Sequence, residues 1–181
     1  FGGLNLIRVR DASGAWGAAI APSGGTIGTS VNGNAAQYKG NLYSLGQGNS
    51  DLYAFDGAAL TQITRATNLV DLNAIITGID VLDGNLYYLW NRNFGLTGSS
   101  GTYLGKFDGT TWTPKYKTLL AETASNGNTY WLRAYRGALF AMVDLLAMNG
   151  VLKSPTDSLT GTWALLANSA DATGLQQAVI F

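Results

Sequence analysis

One short pattern, Gly-x-Leu-aromatic, returns along the chain with a long and similar spacing. Its copies are Gly40-Asn41-Leu42-Tyr43, Gly84-Asn85-Leu86-Tyr87 and Gly137-Ala138-Leu139-Phe140, with offsets of about 44 and 53 residues. A period of that size marks an array of similar supersecondary units, each unable to bury its apolar face alone. It constrains the fold strongly, because a structure assigned to one copy has to serve the other two.

Aligned on that pattern, each copy reads as four short strands. A first apolar run lies upstream, at 35–38, 79–82 and 130–135. Lys39-Gly40, Asp83-Gly84 and Arg136-Gly137 follow as tight turns, where glycine supplies positive φ. The second runs are 42–45, 86–90 and 139–143, and the third are 52–55, 103–107 and 151–154. Two of the third runs end in Phe55-Asp56-Gly57 and Phe107-Asp108-Gly109, and Asp-Gly between strand runs signals a hairpin. Fourth runs follow at 60–64, 112–116 and 163–166. Each repeat is thus predicted to be a four-stranded antiparallel meander, at about 34–64, 75–117 and 129–167. Both faces of each carry apolar residues, as a sheet packed between two neighbours requires.

The ends supply fragments of the same unit. The stretch 6–10, a turn at 11–14 and the stretch 16–20 read as third and fourth strands without the first two. The stretch 176–181 reads as a first strand alone. Joined, the partial unit at 1–20 and the closing strand at 175–181 make most of a fourth unit and hide two open sheet edges. The expectation is an all-β, β-propeller-like array of four-stranded blades in a single domain spanning 1–181. Four blades are expected, one of them composite from the two termini.

This arrangement resembles the kelch-like and Asp-box-like β-propellers over nearly the whole chain. The resemblance rests on the Gly-x-Leu-Tyr turns, the Phe-Asp-Gly turns, and Trp16, Trp112 and Trp163 at one position of the fourth strand. The stretch 154–163, running from Ser154-Pro155-Thr156-Asp157 to Thr162-Trp163, looks like a stretched Asp-box hairpin. The double glycine of true kelch repeats is absent. The resemblance implies a scaffold, with any ligand site on the face bearing the longer loops.

Two stretches have competing local readings. Residues 139–148, followed by Asn149-Gly150, contain good helix formers and a C-cap signal; alignment with the other copies favours strand. Residues 67–76 could hold one helical turn.

The residue inventory removes much chemistry. Histidine and cysteine are absent. Ser-His-Asp and Cys-His sites are therefore impossible, as are zinc sites built on those ligands. The single glutamate is Glu122, so any paired-carboxylate site must lean on aspartates. Asp56, Asp83 and Asp108 are explained as turn formers. Asp80 and Asp144 are not, and a glycosidase pair using them competes with an ordinary hydrogen-bonded structural role. No calcium loop and no phosphate-binding glycine loop occur. The formal net charge is zero, so no electrostatic footprint for nucleic acid exists. No apolar run approaches the length of a membrane span. Charged residues make up 12% of the chain, about half the usual share, and the surface is built from Asn, Ser, Thr and Gly instead. That composition is common in secreted and virion proteins, and the chain opens on Phe1, as a processed product or fragment would.

The longer connections fall at 21–34, 65–73, 91–102 and 120–129, all on one face. The loop 91–102 is the richest, offering amides, hydroxyls, Arg92, Asn93 and Phe94. Such a mix suits a sugar, whose ring stacks on an aromatic while amides bond its hydroxyls. Phe94 could equally tuck against its own sheet. Trp90 and Trp131, which are not at the repeated tryptophan position, could approach that face. The repeated tryptophans read as packing residues between blades, or alternatively as a ring of glycan-stacking sites.

The resulting expectation is a non-catalytic extracellular, cell-surface or virion-associated module for assembly or adhesion. Its partners are expected to be proteins or copies of itself, with no cofactor, no metal, no nucleic acid and no membrane insertion. A lectin-like glycan- or receptor-binding propeller is the alternative. A glycoside-processing enzyme is a distant third. Arg92, Asn93, Phe94, Trp90 and Trp131 are the candidate ligand-binding residues, and no catalytic residue is assigned.

Overall fold

A computed structural model of the protein describes residues 8–21, 35–45, 52–63, 74–92, 100–123, 128–145 and 148–169. These residues form twelve strands and, among them, no helix. The strands make three antiparallel four-stranded sheets, each a meander in chain order. The first sheet contains β1 (Ala35–Tyr38), β2 (Asn41–Leu45), β3 (Leu52–Phe55) and β4 (Leu60–Ile63). The second contains β5 (Ala74–Leu82), β6 (Asn85–Arg92), β7 (Ser100–Phe107) and β8 (Trp112–Thr123). The third contains β9 (Asn128–Tyr135), β10 (Ala138–Leu145), β11 (Met148–Lys153) and β12 (Ala164–Ser169).

The three repeated turns have the same backbone. Lys39, Asp83 and Arg136 have φ of 47°, 47° and 48°, and the glycines that follow have φ of 84°, 70° and 74°. Two successive left-handed residues define the type I′ hairpin, whose twist matches the strands it joins. The Phe-Asp-Gly turns work differently. Oδ1 of Asp56 accepts the N–H groups of Ala58 and Ala59 at 2.9 and 2.8 Å. Oδ1 of Asp108 accepts those of Thr110 and Thr111, both at 2.8 Å. These aspartates are turn formers through their side chains.

Side-chain alternation decides which face meets which neighbour. Tyr38, Tyr43 and Leu45 of the first sheet pack with Ile76, Leu86, Tyr88 and Trp90 of the second. Leu82, Tyr87 and Leu89, on the other face of the second sheet, pack with Leu132, Leu139 and Ala141 of the third. The far side of the first sheet, Tyr53, Phe55 and Leu60, packs against Ile20. The order is therefore residues 8–20, first sheet, second sheet, third sheet, stacked face to face. β5 touches β1 on one side and β9 on the other, so the first strands of the repeats lie together. Gly78 makes the closer approach possible: a Cβ there would run into the backbone N of Leu132. Gly105 gives similar room to the ring of Tyr88, its cross-strand partner.

The structure departs from the sequence-based reading at several boundaries. β8 runs to Thr123, well past 116, and β9 starts at Asn128, so the expected 120–129 connection shrinks to 124–127, outside the described residues. Likewise β6 reaches Arg92 and β7 begins at Ser100, which takes both ends of the 91–102 loop into the sheet. Both extensions follow from burial: Asn91 and Thr102 are buried and bonded to one another, and their backbones pair in register. Residues 139–145 are strand, not helix, because Leu139, Ala141 and Val143 alternate with Phe140 and Met142. Packing on both sides of a sheet overrides helix propensity there. The helical turn considered at 67–76 meets β5 at Ala74, and 67–73 lie outside the described residues. Of the expected strands at 6–10 and 16–20, the described residues 8–10 and 16–20 form no continuous strand; Arg10 and Trp16 are joined by an isolated bridge. Trp163 sits just before β12 instead of inside it. The closing strand at 175–181 lies outside the described residues.

Candidate functional site

The end of the sheets nearest the longer connections holds a buried polar cluster. Asn91, 1% exposed, lies on the face of β6 that meets the third sheet. Its Oδ1 accepts from Thr102 Oγ1 at 2.7 Å, Thr129 Oγ1 at 2.8 Å and Thr129 N at 3.1 Å. Its Nδ2 donates to the carbonyl of Thr129 at 2.8 Å. Thr77, the extra residue of a bulge in β5, brings its hydroxyl to 3.4 Å from that of Thr129 and 3.5 Å from the Leu89 carbonyl. This amide and its hydroxyls bind the second sheet to the third. Each of these side chains is bonded within the cluster, as buried polar groups require.

The expected site residues divide. Trp90 is fully buried; its indole N–H donates to the Pro114 carbonyl at 2.7 Å. Its ring stacks on Tyr103 at 4.5 Å between centroids, and Lys115 Nζ lies 4.7 Å from the Tyr103 ring. Trp131 is buried on the opposite face of the third sheet from the second, with its indole N–H directed at Met142 Sδ, 3.1 Å away. Neither indole presents a free face. Arg92 is half-buried at the end of β6, paired in register with Ala74 and Gly101. Asn93 and Phe94 lie outside the described residues.

Asp80 proves to be another tie between sheets. Its Oδ1 accepts Val81 N at 2.8 Å and its Oδ2 accepts Ala134 N, on the third sheet, at 2.7 Å. Both oxygens are committed, which suits a structural carboxylate better than a catalytic one. The side chains of Asp144 and Glu122 lie outside the described set. Burial pushes the Tyr87 phenol up to about 12, helped by the nearby Tyr116 and Asp83, and pushes Tyr88 higher still. Neither serves as an acid or base near neutral pH. Among the described residues no three carboxylates converge as a metal site would need, and no helix is long and apolar enough to cross a membrane.

Further ties link neighbouring sheets at the opposite end. Tyr38 Oη donates to the Gly84 carbonyl at 3.0 Å, and Lys39 Nζ to the Asp108 carbonyl at 2.8 Å. Lys117 Nζ donates to the Thr160 carbonyl at 2.9 Å. Sequence reasoning missed all of these, and it placed Asn91 in a loop. The legible signal was that period-two alternation continues through Trp90, Asn91 and Arg92.

The repeated tryptophans do not share one fate. Trp112 stacks on Phe107 at 4.0 Å, nearly parallel, and packs on the core between the first and second sheets. Trp163 donates to the Leu159 carbonyl at 2.9 Å and packs on the core between the second and third. Trp16 is 63% exposed, with the Arg10 guanidinium 5.8 Å from its ring centre.

No family model matches the sequence, and a search of curated proteins finds no match either.

Proposed function

We propose that the chain is a non-catalytic structural module for assembly, built as a propeller-like array in which the three sheets are blades. Packing of Ile20 on Tyr53, Phe55 and Leu60 supports residues 8–20 as part of a further blade beside the first sheet. The observation that carries the functional reading is where the polar groups go. Asn91, Asp80 and Thr129 spend hydrogen bonds joining sheets, Thr102 spends its own on holding Asn91, and Asp11, Asp56 and Asp108 spend theirs on turns. A surface of uncharged polar groups over such ties fits a particle component or an extracellular brick. The contacts such a module makes are with protein, including copies of itself. Burial of Trp90 and Trp131 removes two of the rings on which the lectin-like alternative could draw.

A hydrolysis panel and a glycan array test this together. Purified protein is expected to turn over no glycoside, ester or peptide and to retain no glycan. Reproducible hydrolysis abolished by Asp80→Asn, or specific glycan capture abolished by Arg92→Ala with Phe94→Ala, would overturn the reading.

A further inference from the structure

Leu60, Trp112 and Trp163 occupy one position of the repeat, and each faces the element that precedes its own sheet. Trp16 is the fourth member. Its turn uses the same device with one more residue: Ala15 donates its N–H to Asp11 Oδ1 at 2.9 Å, as Ala59 does to Asp56 and Thr111 to Asp108. Arg10 pairs with Trp16 across the turn, as Phe55 pairs with Leu60 and Phe107 with Trp112. Ile20 then meets the following sheet, as Tyr116 does. Trp16 shares this cross-turn setting with Leu60 and Trp112 and differs from both in burial.

The receiving surface also repeats. In the first sheet Tyr38 and Tyr43, with ring centres 6.2 Å apart and tilted 55°, receive Phe107 at 5.8 and 6.3 Å. Their equivalents in the third sheet are Tyr135 and Phe140, 6.4 Å apart and tilted 58°. This pair is half-buried and lies on the face turned away from the second sheet.

We propose that Trp16 and Arg10 of one molecule dock on Tyr135 and Phe140 of a second copy, head to tail, and this rests on the assembly reading above. The contact continues between copies the sheet-on-sheet interface already made twice within the chain. A second copy is the occupant because the chain's own sheets leave Trp16 63% exposed while presenting the matching aromatic pair at the other end of the stack. Such a contact joins two different surfaces, so it propagates into a ring or a filament. Charge opposes it in part. Arg136 lies 5.1 Å from the Tyr135 ring and Lys153 lies 6.0 Å from Phe140, and both would meet Arg10. Association should therefore strengthen as salt screens these cations.

Sedimentation velocity on the full chain, over a concentration series at low and high salt, tests the contact. Concentration-dependent association is expected, at least about tenfold weaker in Trp16→Ala and in Tyr135→Ala with Phe140→Ala, as loss of a buried aromatic contact implies. Mixing these two variants should restore a dimer and nothing larger, since each retains one intact surface. Arg136→Glu, an exposed change that leaves the rings in place, should tighten association about two- to fivefold at low salt. It keeps the test open if the aromatic variant misfolds. Association indifferent to all of these variants would overturn the contact yet leave the assembly reading standing. A monomer at every concentration, with a quencher-protected Trp16, would overturn it in favour of closure within one chain. A monomer with an accessible Trp16 would overturn both.

Discussion

Replacing Asn91 by alanine removes four hydrogen bonds from a site that is 1% exposed. A neutral hydrogen bond contributes about 0.5–1.5 kcal/mol net, and a buried group left without a partner costs about 1–3 kcal/mol. Thr129 would lose partners for its N–H and its carbonyl, and Thr102 one for its hydroxyl. The loss is then about 3–5 kcal/mol, a large part of the roughly 5–15 kcal/mol that holds an ordinary domain together. At about 2–4 °C per kcal/mol for a chain of this size, the melting temperature should fall by on the order of 10 °C. Urea denaturation followed by tryptophan fluorescence and circular dichroism measures the change, with an unchanged m-value showing that the native state is intact. Thr118→Ala, at an exposed position of β8, is the control and should stay within about 0.5 kcal/mol of wild type. A loss below about 1 kcal/mol for Asn91→Ala would refute the view that this amide joins the second sheet to the third. It would also reopen Asn91 as a group available to a ligand.

Gly84→Val should cost more than about 1 kcal/mol purely through the backbone, since φ is 70° and nothing lies within 4 Å of the added Cβ; Gly84→Asn, which tolerates that region, should cost much less. Gly78→Ala should cost about 1–3 kcal/mol for the opposite reason, because the new methyl meets the backbone of the third sheet; a neutral result would mean that β5 and β9 are not in close contact. Asp56 and Asp108 are held below the ordinary carboxyl value of 3.8 first by the N–H groups of Ala59 and Thr111, and Asp11 first by the Ser13 hydroxyl. Such carboxyls bind protons more readily in the unfolded chain, so the stability they supply is complete above about 3.8 and is lost as pH falls through their lower folded values. Asp56→Asn with Asp108→Asn should therefore flatten the fall in the urea midpoint in acid, and an unchanged acid profile would remove these turns from the explanation.

Local chemistry determined the strands and turns. A left-handed Lys-Gly, Asp-Gly or Arg-Gly pair needs no distant partner to make a hairpin, and an aspartate two or three residues before the N–H groups it binds makes its own turn. The two-residue period of apolar side chains likewise marked both faces of each sheet as buried. That is why three meanders, their order and most of their bounds were readable from residues alone. Strand lengths beyond the apolar runs were not. Asn91, Thr102 and Thr129 look like loop residues until one sheet lies on another and the amide finds its hydroxyls. The partners of Asp80, Lys39 and Lys117 are equally invisible, since they are backbone groups 43–69 residues away that carry no sequence signal. Burial of Trp90 and Trp131, and exposure of Trp16 beside equivalents that are packed, were also decided by the stacking of sheets. A tryptophan's ring is equally suited to a core and to a ligand, and only the presence or absence of a neighbouring sheet chooses between them.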